Sequence, residues 1–352
     1  MTSRTVYTSL AALIFSVLAL PSLAAPCMNV TLTGTQGGPP VFRGQAGAGT
    51  LVRYGDDAND CGAVFLQFDT GRGTTQQLSK LRVPVSKLHA IFFSHLHSDH
   101  TEGLADMMQL RWHFRSQGPN VDVVCSQPAK SPAGHVMDCG KFAKHIGYAF
   151  IQSGEMAQRL AENKKRRPGG PSDLLNVKMF APSDEPKTVW TKDDVTVQAI
   201  KSRHVPGHVS YRVNTPAGSV VIGGDAGNDE PKPPRETSTS AQVEALANGA
   251  DVLVHSTIHP VLGPGKGSGF KAPIYYRQST AADLGSLAKR AGVKHLMLTH
   301  LIPPLGAARH GPFPIPGGPL DEAAYERAAT ESGYRDNVIV GKDLVTLRLP
   351  SK

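Results

Sequence analysis

The chain has 352 residues, of which 37 are Lys or Arg and 29 are Asp or Glu, and its formal net charge is +8. A hydrophobic content of 40% is sufficient for a substantial core and excludes global disorder, and the length fits one large domain or two small ones. The basic excess is mild. We therefore interpret it as a contribution to solubility, with an anionic substrate or surface as the alternative.

The first 25 residues have the pattern of a signal peptide. Arg4 supplies a positive charge, residues 9–20 are apolar, and the small residues of PSLAAP place a cleavage site after Ala24 or Ala25. The apolar run is too short to span a bilayer comfortably and no later stretch is long enough, although a retained anchor is the alternative. We expect a mature domain over residues 26–352 that is periplasmic or secreted and has no membrane span.

The cysteines are Cys27, Cys61, Cys125 and Cys139. An even number of cysteines in an exported chain indicates disulfides, and three pairings are possible. We favour Cys27 with Cys61 and Cys125 with Cys139, because each pair closes a short loop. Free buried thiols are the alternative. None of the cysteines has the spacing of a metal site, so we assign them no catalytic role.

Short apolar runs alternate with Gly and Pro turns after the cleavage site. Residues 50–55 and 62–71 have the β-branched and aromatic content of paired strands, and residues 88–94 are typical of a buried strand. Helices are predicted over residues 74–83 and 101–114.

A second series of strands follows, and most of them end in a polar residue. They are predicted over residues 195–204, 209–213, 218–227, 251–257 and 295–300, with more within 337–349. Helices fit residues 238–250 and 279–292, the latter with Ser279 as its N-cap. Two rounds of strands and helices predict an α/β sandwich, with two sheets packed face to face and helices outside.

One further helix fits residues 155–167, whose end KKRR (164–167) is strongly basic. A nucleic-acid or acidic-ligand arm is one interpretation of such a run. We favour the solvated end of a helix, because cations also suit the negative end of the helix dipole.

The sequence HLHSDH at residues 95–100 directly follows the predicted buried strand. Side chains two residues apart on an extended turn point the same way, so His95 and His97 can bind one ion together. Asp99 and His100 can face a second ion, since imidazole and carboxylate are both common metal ligands. Core packing does not explain such a cluster, because unpaired polar groups are costly to bury.

HLHSDH resembles the H-x-H-x-D-H signature of the metallo-β-lactamase-fold hydrolases, and the other signatures of that superfamily follow in order. The corresponding positions are Asp69 in LQFDTG (strand-end aspartate), His204 in SRHVPGH (third-motif histidine), Asp225 in VIGGDAG (bridging aspartate) and His300 in LMLTH (final ligand). The similarity runs from about residue 34 to the C-terminus. It implies the fold of that family, an αββα four-layer sandwich of two mixed β-sheets.

The resemblance also implies a site for two divalent ions, with a hydroxide between them that attacks the substrate. The implied ligands are His95, His97 and His204 for one ion, Asp99, His100 and His300 for the other, and Asp225 as the bridge. Asp69 would support the ligand loop from behind without binding metal. Zinc suits these ligands best, and manganese or iron would also fit.

The closest branch by resemblance is that of ribonuclease Z, the cyclic-nucleotide phosphodiesterases and the arylsulfatase-like proteins. His255 in VLVHST matches a histidine that contacts the reacting ester there and would donate a proton to the leaving group, with a buried hydrogen-bonded histidine as the alternative. The opening GTQGGPP also resembles this branch and would place Gly34 and Thr35 near the rim of the site. His208 and His259 could line the pocket or lie on the surface.

Our leading hypothesis is an exported two-metal hydrolase that cleaves a phosphodiester or sulfate ester of a small molecule. Ser256 stands where the tRNA-processing enzyme has Glu, and an exported protein does not meet precursor tRNA, so we do not expect nucleic acid as a partner. A lactonase or β-lactam hydrolase on the same scaffold is the alternative enzyme, and a non-catalytic metal-binding protein is the non-enzyme alternative. Related proteins are often dimers, and a homodimer is compatible with the sequence.

Overall fold

The computed structural model describes residues 1–2, 24–230 and 232–350 of the chain. The apolar run 9–20, on which the predicted signal peptide depends, lies outside these residues. Among the described helices, none is both long enough and apolar enough to cross a membrane.

The strands are mostly short and buried. In chain order they are β1 (Pro26–Gly34), β2 (Gly49–Asp56), β3 (Val64–Phe68), β4 (Ala90–Phe92), β5 (Val121–Ser126), β6 (Ala129–Lys130), β7 (Val136–Met137), β8 (Leu175–Phe180), β9 (Lys187–Lys192), β10 (Val195–Lys201), β11 (Val209–Thr215), β12 (Gly218–Ile222), β13 (Val252–Ile258), β14 (His295–Ile302), β15 (Arg309–His310), β16 (Phe313–Pro314), β17 (Asn337–Val340) and β18 (Thr346–Leu349).

The helices lie between the strands in both halves of the chain. They are α1 (Thr74–Lys80), α2 (Ser98–Thr101), α3 (Leu104–Arg115), α4 (Cys139–Gln152), α5 (Met156–Glu162), α6 (Ala241–Ala247), α7 (Ala272–Tyr275), α8 (Ala281–Ala291) and α9 (Glu322–Thr330).

Two seven-stranded sheets form the centre of the fold, in the orders β18-β1-β2-β3-β4-β5-β8 and β17-β14-β13-β12-β11-β10-β9. Each sheet is mixed. The strands β3, β4, β5 and β8 pair in parallel in the first sheet, as do β12, β13, β14 and β17 in the second. The carboxyl ends of parallel strands meet at one edge of each sheet, which is where ligands bind in α/β folds.

An aromatic cluster fills the space between the sheets beneath that edge. The rings of Phe68 and Phe92 are stacked 4.6 Å apart, and the ring of Tyr211 from the opposite sheet lies 5.4 Å from Phe92. The Tyr211 hydroxyl donates a 2.7 Å hydrogen bond to the carbonyl of Phe93. The loop that follows β4 is therefore fixed by both sheets.

Helices cover the outer face of each sheet. Apolar side chains of α1, α3 and α4 pack on the first sheet, and those of α6, α8 and α9 pack on the second. This arrangement confirms the predicted αββα sandwich of two mixed sheets.

Several element boundaries differ from the prediction. The N-cap of α8 is Thr280, whose side chain accepts from the amide of Asp283, whereas the hydroxyl of Ser279 donates to the carbonyl of Ala226. The prediction of Ser279 was therefore wrong by one residue. The helix predicted over residues 101–114 is divided into α2 and α3, and α4, β8, β9 and α9 were not predicted at all.

The basic run 164–167 is not helical, because α5 ends at Glu162. The Arg167 guanidinium donates to the carbonyl of Gly118 at 3.2 Å, and the Arg166 guanidinium lies 3.0 Å from Nδ1 of His113. These contacts tie the loop to the end of α3, so the two arginines act as local packing groups rather than as the end of a helix.

The predicted disulfides Cys27–Cys61 and Cys125–Cys139 are both present. We expect replacement of Cys27 and Cys61 by Ser to lower the free energy of unfolding by about 4 kcal/mol, since the bond closes a loop of 34 residues in the unfolded chain. The Cys125–Cys139 pair closes only 14 residues and should contribute about 3 kcal/mol. Urea titration of both double variants measures the two values. A larger loss for the shorter loop would contradict this ranking.

Candidate metal centre

The residues of the candidate centre come from the polar ends of strands in both sheets. The turn after β3 provides Asp69, the loop after β4 and the start of α2 provide residues 95–100, and the loop after β12 provides Asp225. His300 lies within β14, at a bulge where Ser256 pairs with Thr299 but Thr257 pairs with Leu301. A bulge re-aims a side chain, and here it coincides with the positive φ of His300, 46°.

One group of possible ligands contains His95, His97 and His204, whose ligand atoms all lie within 4.8 Å of one another. Nε2 of His95 is 2.9 Å from Nδ1 of His97, and Nε2 of His204 is 3.3 Å from the same atom. Two ligands about 2.1 Å from a tetrahedral ion lie roughly 3.4 Å apart. The spacing of the three imidazoles therefore fits a single ion.

A second group contains Asp99, His100 and His300. Oδ2 of Asp99 is 3.1 Å from Nε2 of His300 and 3.8 Å from Nε2 of His100. Carboxylate oxygen and imidazole nitrogen are both ligands of zinc, and the spacing again brackets that expected around one ion.

Asp225 lies between the two groups. Its Oδ2 is 3.6 Å from Nε2 of His204 in the first group and 3.4 Å from Nε2 of His300 in the second. Its Oδ1 is 3.5 Å from Nε2 of His100, and both of these atoms are buried without a hydrogen-bond partner among the described residues. A cation between them would satisfy both, so the donor set fits two divalent ions that share Asp225.

Three of the ring nitrogens that face away from the centre are held by other groups. Nδ1 of His100 donates to Oδ2 of Asp69 at 2.8 Å, and Nδ1 of His204 donates to the carbonyl of Arg277 at 3.2 Å. The Ser94 hydroxyl donates to Asp69 at 2.7 Å and lies 3.0 Å from Nδ1 of His95, from which it can accept. These contacts leave each Nε2 free to bind metal and keep Asp69 outside the ligand set.

We expect Asp69→Asn to weaken metal binding 10- to 100-fold, roughly, because Oδ2 of Asp69 accepts from His100 and the Ser94 hydroxyl while Oδ1 accepts from the Ser94 amide, and the NH2 group of Asn would face one of these donors. Metal affinity is measured by competition with a chromophoric chelator. The matched control is Asp122→Asn, which removes a partly buried carboxylate that binds Lys178 and Trp190 instead. Equal metal affinities for both variants would contradict a role for Asp69 in orienting the ligands.

Burial and charge set the protonation of the ligands. Burial lowers the pKa of His204 to about 4 and lowers the pKa of His95 well below its usual value, so both rings are neutral, the form that binds metal. Burial by itself would raise the pKa of Asp225. The charges of His300 and His100 outweigh it and hold the pKa of Asp225 well below its usual range.

A cavity of about 470 Å³ opens onto the centre. His97, Asp99, His204, Asp225 and His300 form its floor. The remaining wall is mostly apolar and is lined by Gly38, Pro39, Pro40, Phe270, Ile274, Ile302, Pro312 and Phe313, with Arg277 and His310 as further polar groups. Sequence reasoning missed both Arg277 and His310, because neither lies in a motif.

The opening loop reaches this cavity from Gly38 onward rather than through the predicted Gly34 and Thr35. Thr35 is buried and its hydroxyl donates to Asp343 at 2.7 Å. The amide of Gly38 lies 3.1 Å from Nε2 of His300. The predicted contact of this loop with the site is therefore displaced by three residues along the chain.

His255 lies behind the centre and not in the lining of the cavity. The side chain is fully buried, and its Nδ1 donates to the carbonyl of Ser256 at 2.7 Å. Its ring is pressed against Gly223, where a Cβ would come within 2.1 Å of the imidazole. Direct contact between His255 and a substrate has no support in this geometry, and its role as a proton donor stays a prediction.

His208 and His259 also lie away from the cavity. His208 is buried: its Nε2 accepts from the amide of Asp225 at 3.1 Å and its Nδ1 donates to Ser202 at 2.8 Å. It therefore helps to position Asp225 through the backbone. The ring of His259 accepts from the amide of Val261 at the start of a short 3-10 helix. The surface placement considered for His208 is wrong.

Comparison with known proteins agrees with this fold. Residues 65–301 match the model of the β-lactamase superfamily domain. A ribonuclease Z from Mycobacterium sp. (strain KMS) is 30% identical over 321 residues, which cover 90% of this chain and 94% of the relative.

Two solved structures have a similar fold. The metallo-β-lactamase-fold protein YhfI from Bacillus subtilis has a TM-score of 0.57 at 20% identity and covers 92% of this chain and 99% of its own. The short form of human tRNase Z has a TM-score of 0.55 at 17% identity, with coverages of 92% and 100%. Because relatives are named for action on RNA, the expectation that nucleic acid is not a partner becomes doubtful. The chain belongs to the β-lactamase superfamily and is a metallo-β-lactamase-fold hydrolase near its ribonuclease Z branch.

Proposed function

We propose that this protein is a two-metal hydrolase that cleaves a phosphodiester or sulfate ester. The observation that carries the proposal is the position of Asp225, whose carboxylate lies between two groups of ligand atoms spaced for one ion each. Two bound divalent ions would lower the pKa of a water molecule between them and polarise the ester oxygen.

The residues of the chain would orient the reaction. Asp225 would keep the ions together, and His208 would fix the carboxylate through the Asp225 amide, 3.1 Å away. Arg277 is the cation in the cavity wall and would bind a non-bridging oxygen of the substrate. Such preorganised charge is usually the largest contribution to catalysis of this kind.

The apolar side of the cavity supports a small substrate with an apolar group. Phe270, Ile274 and Phe313 contribute apolar surface to the wall of this cavity. A volume of about 470 Å³ lies within the range of sites for single small molecules. An aryl ester of phosphate or sulfate would place its charged end on the ions and its ring on this surface.

The second candidate substrate is RNA. Relatives named ribonuclease Z support it, and so does an adjoining cavity of about 740 Å³ that shares His204 and Arg277 with the first. Lys201 and Arg203 also line this second cavity and would suit the phosphates of a longer chain. The tRNA-processing enzyme has Glu at the position of Ser256, and this difference favours the small ester as the substrate.

We expect removal of metal by a chelator to abolish hydrolysis and added zinc, manganese or iron to restore it. His97→Ala should lower kcat/KM roughly 10³-fold, because one ion loses a ligand that faces the substrate. The matched control is His295→Ala, which removes a half-buried histidine at the start of β14, the strand that carries His300 near its other end. A chelated protein that keeps full activity would contradict the proposal.

A panel of substrates distinguishes the candidates on metal-quantified protein. The panel contains bis(p-nitrophenyl) phosphate, p-nitrophenyl sulfate, a cyclic nucleotide, precursor tRNA, nitrocefin and an acyl lactone. Turnover of the first two would support the small ester, and turnover of precursor tRNA alone would support RNA. Turnover of nitrocefin or the lactone alone would favour the alternative enzyme, and no turnover with two bound ions would favour a non-catalytic metal-binding protein.

We further propose that the protein acts outside the cytoplasm. The pattern of the first 25 residues supports this, and so do the two disulfides, because such bonds persist mainly in oxidising compartments. N-terminal sequencing of the protein recovered from its producing cells tests it. A mature chain that begins at Ala25 or Pro26 is expected, and an intact chain in the cytoplasm would contradict export.

A further inference from the structure

His310 is a buried histidine that the proposed metal centre does not use. It lies in the hairpin of β15 and β16, and only 7% of its surface is exposed. Its Nδ1 is buried without a hydrogen-bond partner in the described part of the chain. Nε2 has no hydrogen-bond partner among the described residues either, and it is the ring nitrogen that lies next to Gly38 at the cavity and can reach a ligand there.

The ring lies in the wall of the cavity that contains the metal ligands. Gly38 separates it from the centre: the Gly38 amide is 3.1 Å from Nε2 of His300, and a Cβ on Gly38 would be 3.6 Å from Nε2 of His310. The ring of Phe270 is 6.0 Å from the ring of His310, centroid to centroid. His310 is thus placed where the apolar wall meets the floor of ligands.

At this boundary, the imidazole of His310 would face the oxygen that joins the charged and apolar parts of the proposed ester. With the phosphorus or sulfur atom over the ions and the apolar group on Phe270, the ester oxygen that joins them would lie near His310. Burial lowers the pKa of His310 to about 4, so the ring is neutral near pH 7. A neutral imidazole still donates a hydrogen bond from one nitrogen.

We propose that His310 is a catalytic residue that donates a hydrogen bond to the leaving oxygen of the ester. This inference rests on the proposed function. As an oxygen from water bonds to phosphorus or sulfur, the bond from that atom to the leaving oxygen breaks and its electron pair stays on the leaving oxygen, where the hydrogen bond from His310 stabilises the charge. A proton from water then completes the alcohol. The family resemblance gives the leaving-group role to His255, which the cavity does not expose.

Two variants separate the hydrogen bond from the volume of the ring. His310→Phe keeps an aromatic ring beside Phe270 and Phe313 but removes the donor, whereas His310→Gln keeps an N–H donor. The control is His295→Phe, which makes the same substitution at the start of β14, outside the cavity. Bound metal is counted for every variant, because an unchanged metal content shows that the centre is intact.

The diagnostic measurement is the dependence of kcat on the leaving group, with p-nitrophenyl, phenyl and methyl esters of the same acid. Loss of a donor to the leaving oxygen should lower kcat about 10²-fold for phenyl and methyl and change it little for p-nitrophenyl, whose oxygen carries the charge without help. His310→Gln should recover part of the loss. An unchanged dependence in His310→Phe would overturn the inference.

Binding of inorganic phosphate tests the same contact without turnover. Phosphate places an oxygen where the leaving oxygen would lie, so His310→Phe should weaken its binding about tenfold by calorimetry, with His295→Phe unchanged. Equal affinities in the wild type and in His310→Phe would also overturn the inference. A wild type that binds phosphate through His310 but hydrolyses no ester would instead contradict the proposed function alone.

Discussion

Replacement of Asp225 by Asn is expected to lower kcat/KM by on the order of 10³ and to reduce the bound metal from two ions per chain to one or none. The Asp225 carboxylate lies within 3.6 Å of histidine ligand atoms in both groups. Among the described residues, it is the only carboxylate that makes such contacts to both groups. Asn keeps the shape but removes that charge, and its amide hydrogens would face the ions. Steady-state kinetics and metal analysis of the same preparation measure both effects.

The matched control for this variant is Asp251→Asn. Asp251 precedes β13, at the opposite end of the same sheet, and accepts from the Ser219 amide and Lys294. We expect a small loss of stability there and full activity. An Asp225→Asn variant that kept two ions and wild-type turnover would contradict the proposed role of this carboxylate in holding the two ions.

Replacement of Gly71 by Ala should affect both stability and activity. A Cβ on Gly71 would lie 2.3 Å from the carbonyl oxygen of Asp99 and 2.3 Å from the carbonyl carbon of Gly47, and all of these atoms belong to the backbone. Either the turn after β3 or the ligand loop must move. We expect a loss of about 1–3 kcal/mol in the free energy of unfolding. A ligand displaced by about 1 Å should lower kcat/KM roughly 10²-fold.

The control for overpacking is Gly140→Ala in the first turn of α4. There the nearest atoms are 3.4 Å from the new Cβ, an ordinary contact. Ala favours a helix over Gly by about 1 kcal/mol, so this variant should be as stable as the wild type or slightly more so. Urea titration and turnover of both variants give the comparison. A Gly71→Ala variant with full activity would contradict the expected effect of a displaced ligand on turnover.

The sequence was informative where several donors are close together in the chain. His95, His97, Asp99 and His100 lie within six consecutive positions after an apolar strand, and no packing argument accounts for them. The separate positions of Asp225 and His300 followed from resemblance, and the structure brings them to the same sheet edge. Their ligand roles remain proposals.

The cavity was not predictable in the same way. Its wall combines segments far apart in the chain, among them residues 38–40, 270–278 and 310–313. These loops have no hydrophobic periodicity, so only the tertiary structure brings them together. His310 is therefore an ordinary histidine in the sequence and a cavity residue in the fold.

Local details, such as the first residue of a helix, could not be predicted from the sequence for a related reason. Ser279 and Thr280 are both good N-caps, and the choice between them depends on Asp283 and on the carbonyl of Ala226, 53 residues away. Similarly, the position of His255 depends on its packing against Gly223, which the pattern VLVHST does not contain.

Anomalous diffraction from crystals grown with zinc tests the central claim most directly. We expect two peaks about 3.5–4 Å apart, one beside His97 and His204 and the other beside Asp99 and His300, with Asp225 between them. A single peak at a surface histidine, or no peak near Asp225 at saturating zinc, would contradict a two-metal centre in this protein.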